Sequence, residues 1–271
     1  MTKDADSFLA AEFPEALRKI RERTPARILQ GRSGAAYRTS TQIELREAHA
    51  AARDAVRAEL DMHAAFGAEF IERWKLFEVG TQARSKEEFL LRPDLGRRLT
   101  ETSRGELARR CTRENDIQII IGDGLSVTAV SAQVPALLPM LAEGARERGW
   151  TLGNPFVICH CRVGVLNEVG ELLAPKVAVL LIGERPGLAT TESLSAYMAY
   201  RPDISHSDAN RNLISNIHAR GLSPVEASNR ILNLAAQMME RRISGYSIRE
   251  LWTESRPRPS QAAGNGRVEI E

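Results

Sequence analysis

The sequence predicts an α/β protein: a parallel sheet covered by helices on both faces, preceded by a mostly helical N-terminal region. Three observations lead there. Apolar runs rich in β-branched residues recur at 117–121, 156–161 and 176–182. Each is followed by a turn and a helix-forming stretch, the alternation that builds parallel sheets. Ahead of residue 110 the pattern is different, with apolar residues recurring at the three- and four-residue steps of a helix.

Bulk composition excludes more than it selects. Of 271 residues, 43% are hydrophobic and 27% charged, ordinary values for a globular chain. Lys and Arg total 37 against 35 Asp and Glu, a net charge of +2 that gives no reason to invoke nucleic acid or an anionic membrane. No apolar run approaches the roughly 20 residues of a membrane-spanning helix. The acidic start "MTKDADSFLAAEF" lacks the apolar core of a secretion signal. An odd number of cysteines, Cys111, Cys159 and Cys161, points to free thiols in a reducing, cytoplasmic setting.

Taken in order, residues 1–23 read as a mobile segment holding a short amphipathic helix with a loose start. Residues 24–112 form the helical N-terminal region. It opens with a Pro-, Gly- and Arg-containing loop, "TPARILQGRSGAAYRTST". From Gln42 one long helix is expected, with Leu45, Ala48, Ala52, Val56, Leu60, His63 and Phe66 in register. A second helical stretch follows and is broken by "RPDLGRRL". Residues 113–250 carry the alternating elements. A strand at 117–121 leads through Gly122-Asp123-Gly124 into a helix capped near Ser126. The strand 156–161 precedes a helix near 165–173, and the strand 176–182 ends in "GERPG". "TTESLSAYMAY" is read as a capped helix, with Leu194, Tyr197 and Met198 on one side. "RNLISNIHARG" is read as a polar loop between helices. "SPVEASNRILNLAAQMMERRI" is an amphipathic helix with Ser223 as N-cap, Pro224 first and Glu226 third. Residues 251–271, rich in Pro, Gly and Ser, are expected to be a mobile tail.

Ligands of parallel sheets sit beyond the carboxyl ends of the strands. Both Gly-Asp-Gly and Gly-Glu-Arg-Pro-Gly fall on that edge. The first is a weak match to the dinucleotide fingerprint: Val127 stands where a third glycine belongs, and no acidic residue ends a following strand about 20 residues on. A tight strand-to-helix turn is the better reading. "CHC" offers Cys159, His160 and Cys161, but on a strand the two thiols share one face and the histidine points away, so buried thiols are expected rather than a metal site. "DMHAAF" resembles the Asp-x-His-x-x-Gly signature by which some mutases ligate cobalt. Phe66 replaces the glycine and the segment is helical, so His63 is read as a helix residue. No nucleophile–base pair and no pair of acidic residues suggests hydrolysis. The chain has a binding edge without an evident chemical engine, and no catalytic residue is assigned.

Several of these stretches, in order, resemble one family. "TPARILQGRSG", "RPDLGRRL", "IIIGDGLSVTAV", "CRVGVLNEVGELL", "VLLIGERPGL", "ESLSAYMAY" and "NRNLISNIHARGLSPVEA" are similar to the small subunit of ethanolamine ammonia-lyase. The resemblance runs from about Thr24 to about Met239. It implies a Rossmann-like domain that clamps adenosylcobalamin, its own benzimidazole still on cobalt, against a TIM-barrel large subunit. That large subunit hosts the radical conversion of ethanolamine to acetaldehyde and ammonia. The enzyme implied is a carbon–nitrogen lyase and a hetero-oligomer of several pairs, sited in the cytoplasm within a bacterial microcompartment. Cofactor contacts carried over are Val163, Glu184 and Leu213, the last a Cys in some relatives. Relatives often carry Ala-Asp-Glu and Ala-Asp-Arg where this chain has Leu166-Asn167-Glu168 and Ala209-Asn210-Arg211. Both changes remove a carboxylate. A stand-alone nucleotide-binding oxidoreductase using Gly122 and Gly124 is the alternative.

Overall fold

The computed structural model describes residues 14–22, 24 and 26–248. Of the expected N-terminal segment, only 14–22 lies among them, as helix α1 (Pro14–Glu22). The expected C-terminal tail, 251–271, lies outside them. The loop at 24–41 contains a two-residue hairpin, β1 (Arg32–Ser33) with β2 (Ala36–Tyr37). Helix α2 (Thr39–Arg57) follows.

The long helix expected from residue 42 through 66 divides. Helix α2 ends at Ala58, and Asp61 starts α3 (Met62–Phe66) by accepting from the His63 and Ala64 N–H groups at 2.8 and 3.0 Å. A short acidic side chain that satisfies free N–H groups favours a new helix start over continuation. His63 does sit on a helix, as its sequence context implies. Helix α4 (Ala68–Trp74) leads to a strand that the sequence did not suggest, β3 (Glu78–Gly80). Helices α5 (Lys86–Leu91) and α6 (Glu101–Arg110) complete this region.

The main sheet has six strands in the order β3-β5-β4-β6-β7-β8. Here β4 is Ile117–Gly122, β5 Phe156–Cys159, β6 Val177–Gly183, β7 Leu194–Tyr200 and β8 Asn212–Ile217. The first four strands in that order are parallel, while β7 runs antiparallel to both neighbours. The expected α/β class holds, with a sheet that is mixed rather than wholly parallel. Two expectations fail here. The stretch read as a capped helix is β7, and the stretch read as a polar loop is β8. In β7, Leu194, Ala196 and Met198 alternate into one core while Tyr197 faces the other. The spacing of Leu194, Tyr197 and Met198 is that of a helix face, and pairing of seven residues with β6 overrides it.

One core lies between the sheet and helices α7 (Val127–Glu147) and α9 (Pro224–Arg241). The other lies under α6 and α8 (Val165–Leu173). Helix α9 has the capping box its sequence announces, with Ser223 and Glu226 each bonded to the other's backbone. The parallel strands are connected through helices, so β4 and β6 are buried on both faces. The β6–β7 and β7–β8 connections contain no α-helix. Helix α9 packs on β7 and β8 from one side. On the other side the sheet carries Tyr197, half-buried, and Leu213, 47% exposed.

Candidate functional site

Loops after β4, β5 and β6 meet at the carboxyl edge of the sheet, beside this uncovered face. They enclose an open cleft of about 400 Å³. Its lining includes Gly124, Cys161, Arg162, Val163, Glu184, Arg185, Ser195, Tyr197, Leu213 and Ser215. The structure thus brings Val163, Glu184 and Leu213, far apart in sequence, into one space.

The floor of the cleft is built from the Gly-Asp-Gly turn. Gly124 has φ +57°, and a Cβ there would lie 2.4 Å from the Gly183 carbonyl oxygen. A Cβ on Gly183 would lie 2.0 Å from the Ser126 carbonyl oxygen. These glycines let the β4 turn and the end of β6 touch backbone to backbone. They serve the chain's own packing, as the tight-turn reading expected. Asp123, fully buried, accepts from the His160 N–H at 2.9 Å and the Cys161 N–H at 2.8 Å, with the buried Lys86 ammonium 3.7 Å away. A buried carboxylate needs such partners, and here they fix the loop that delivers Arg162 and Val163.

This loop corrects the reading of Cys159, His160 and Cys161. Strand β5 stops at Cys159, and His160 takes φ +53°, which breaks the alternation. Cys159 packs toward one core and Cys161 into the other. The three cysteines are free. Burial pushes the Cys161 thiol well above its usual value and the Cys111 thiol up to about 11. His160 Nδ1 lies 3.0 Å from the Ala83 carbonyl oxygen, and His160 does not line the cleft.

Glu184, just past β6, is held as an acceptor by three donors. The Ser195 hydroxyl reaches Oε1 at 2.7 Å, the Asn216 N–H the same oxygen at 2.9 Å, and the Ser193 hydroxyl Oε2 at 2.9 Å. A bulge supplies the backbone donor. Between the pairs Leu194–Ile217 and Ala196–Ile214, the single residue Ser195 faces both Ser215 and Asn216. Asn216 adopts φ +62°, tolerable for asparagine, and its N–H turns toward Glu184. His218 steadies it: Nδ1 accepts from the Arg220 N–H at 3.3 Å, so Nε2 carries the proton and donates to Asn216 Oδ1 at 2.7 Å. Burial lowers the His218 pKa. Gly221 leaves room for this turn, since a Cβ there would lie 2.3 Å from the Asn216 carbonyl oxygen. The segment "ISNIHARG" is therefore the clamp behind Glu184.

The walls are mixed. Val163 and Leu213 contribute apolar surface, and Tyr197 lies across the strand pair from Leu213. Burial first, then the Glu184 charge, raises the Tyr197 pKa. Arg162 lies over the Phe89 ring at 4.1 Å and donates to the Phe89 carbonyl at 3.1 Å. Ser193, Ser195, Tyr197 and Arg162 were missed from sequence. Reading "LSAYMAY" with a period of two would have placed Ser195 and Tyr197 beside the edge. The altered triplets meet in an adjoining cavity of about 280 Å³, where Arg211 donates to Asn167 Oδ1 at 2.7 Å. Asn210 stays outside that lining and accepts from Ser207 instead.

Among the described residues, no group of three or more His, Cys, Asp or Glu side chains is placed to hold a metal ion, and no helix is long and apolar enough to cross a membrane. The family model described as ethanolamine ammonia-lyase light chain (EutC) matches residues 14–249. The ethanolamine ammonia-lyase small subunit of Clostridium acetobutylicum is 38% identical over 235 residues, covering 87% of this chain and 95% of the relative. That of Clostridium perfringens is 38% identical over 235 residues, covering 87% and 78%. The Clostridioides difficile protein of the same name is 38% identical over 247 residues, covering 91% and 79%.

Proposed function

The chain belongs to the ethanolamine ammonia-lyase light-chain family, and from that membership we propose that it is the cofactor-clamping subunit of an adenosylcobalamin-dependent lyase. The observation that carries this reading is the single open cleft gathering Val163, Glu184 and Leu213. A corrin ring is broad, apolar across its face and fringed with amides. The cleft is smaller than such a ligand and suits one side of it, with Val163, Tyr197 and Leu213 as packing surface and Glu184 as acceptor. Ser193, Ser195 and Asn216 occupy three of the carboxylate's acceptor positions, leaving Oε2 one further position for an amide donor.

When bound, the cofactor supplies the radical chemistry through its cobalt–carbon bond. This chain's part is to seat the ligand, fix its rim and keep water off that side. His218, behind Glu184, has both ring nitrogens in hydrogen bonds within the chain. Family membership supports a cofactor that would keep its own benzimidazole base. The other side of the cofactor, the ethanolamine site and the chemistry belong to a large subunit, in a hetero-oligomer of several pairs. Its place is the cytoplasm, within a bacterial microcompartment, with residues 1–23 as an addressing segment.

The test mixes the purified chain with the large subunit, adenosylcobalamin and ethanolamine. Acetaldehyde is expected only in the complete mixture. The reading fails if a clostridial small subunit restores activity to the same large subunit and this chain does not. Nucleotide-dependent oxidoreduction is the competing possibility. It is disfavoured because the space beside Gly122 and Gly124 is taken up by the chain's own Cys161 side chain and Gly183 backbone.

A further inference from the structure

Four arginines are gathered around one helix start. Arg162 precedes helix α8 and its carbonyl accepts the Val165 N–H at 3.0 Å. Arg185 shares the cleft with Arg162 and Val163. The Arg97 side chain lies against Gly164, where a Cβ would fall 2.9 Å from Arg97 Cγ. Arg211 lines the adjoining cavity together with Arg97 and Gly164. The N-cap of α8 is Gly164, which offers no side chain to the helix. A helix N-terminus already carries partial positive charge, so four cations there are mutually unfavourable.

The nearby carboxylates are committed elsewhere. Glu168 takes the Leu99 N–H at 2.8 Å and the guanidiniums of Arg98 and Arg104 at 3.3 and 3.5 Å. Asp123 holds the loop backbone, and Glu184 holds Ser193, Ser195 and Asn216. Among the described residues, Asp208 alone pairs with a member of the cluster, Arg211. The Arg211 side chain is only 4% exposed, yet among the described residues its Nε has no hydrogen-bond partner, and neither does the buried Nε of Arg162. The Arg97 and Arg185 guanidiniums make no hydrogen bond or ion pair among the described residues. Burial, then the charges of Arg185 and Arg97, lowers the Arg162 pKa, and Arg97 contributes to the lowering at Arg211. Positive charge is thus concentrated and short of acceptors where the two cavities adjoin.

We propose that Arg97, Arg162, Arg185 and Arg211 form an oxyanion subsite that takes a phosphate group. Guanidinium forks match phosphate oxygens, and a bound phosphate reduces the mutual repulsion of such a cluster. The phosphate has two sources: a phosphodiester within the bound cofactor, in which case the subsite rests on the cobalamin reading above, or free inorganic phosphate, in which case it does not.

Arg97→Gln and Arg185→Gln change exposed, unpaired side chains and preserve the fold. Arg109→Gln, on α6 and paired with Glu106, is the control. The full chain is titrated with inorganic phosphate by calorimetry. Its complex with the large subunit is titrated with adenosylcobalamin and with adenosylcobinamide, which lacks the nucleotide and its phosphate. Each cluster variant is expected to weaken the phosphate-bearing probe about tenfold, and the control to leave it unchanged. Loss with adenosylcobalamin but not adenosylcobinamide assigns the phosphate to the cofactor. Loss confined to inorganic phosphate assigns it to the free ion. If adenosylcobalamin fails to bind while phosphate binding depends on Arg97, the cofactor reading falls and the subsite stands. Equal loss with both corrinoids overturns the subsite and turns the arginines toward carboxylates of the large subunit. Binding indifferent to both substitutions, or no phosphate-dependent binding at all, overturns it too.

Discussion

Removing the Glu184 carboxylate leaves two hydroxyls and the Asn216 N–H without their acceptor. Glu184→Ala is therefore expected to lower stability by about 1–3 kcal/mol, the scale of stranded polar groups, and to weaken cofactor binding as well. Chemical denaturation and corrinoid titration of the same variant measure the two effects. A change in neither removes Glu184 from the site. His218 gives a pH dependence with a definite sign. Its folded pKa lies below the ordinary 6.5, so the unfolded chain takes up the proton first. The stability it contributes is present above that value and is lost as pH falls through the folded pKa. Urea unfolding at about pH 7.5 and about pH 5.5 should show a smaller loss for His218→Gln than for the parent chain. Identical losses would place the acid sensitivity elsewhere.

Strands and turns show where sequence patterns carry structural information. The strands β4, β5 and β6 and the capped helix α9 were legible because apolar runs and caps are local signals. The strands β7 and β8 were not. Tyr197 and Leu213 pair across them, and Ser and Asn mark the bulge, but those roles exist only once the strands have met. The turn glycines offer a paired test. Gly124→Ala meets positive φ and a carbonyl at 2.4 Å, so a loss of about 1–3 kcal/mol is expected. Gly105→Ala, exposed within α6 with open space around its Cβ, should raise stability by about 0.5–1 kcal/mol. Thermal melts of both variants check the contrast. Equal shifts would deny the turn its close contact.

For the molecule as a whole, the site residues came from the family resemblance and their meeting place came from the fold. Nothing in the spacing of Val163, Glu184 and Leu213 announces a shared cleft, because each arrives on a different strand end or neighbouring strand. The thiols report on the same assembly. Cys161 and Cys111 are buried with raised pKa, so a disulfide reagent at about pH 8 should leave both unmodified in the native chain and label them on unfolding. Rapid native labelling of Cys161 would contradict the packed loop behind the cleft.

Ending the sheet in connections without α-helices leaves one flank of β8 open beside the half-buried Tyr197 of β7. A receptor with a bed and no roof grips weakly on its own and discriminates little. Tightness and choosiness then arise only at the moment of assembly, and the isolated chain is expected to hold its ligand loosely until a second polypeptide shuts the compartment.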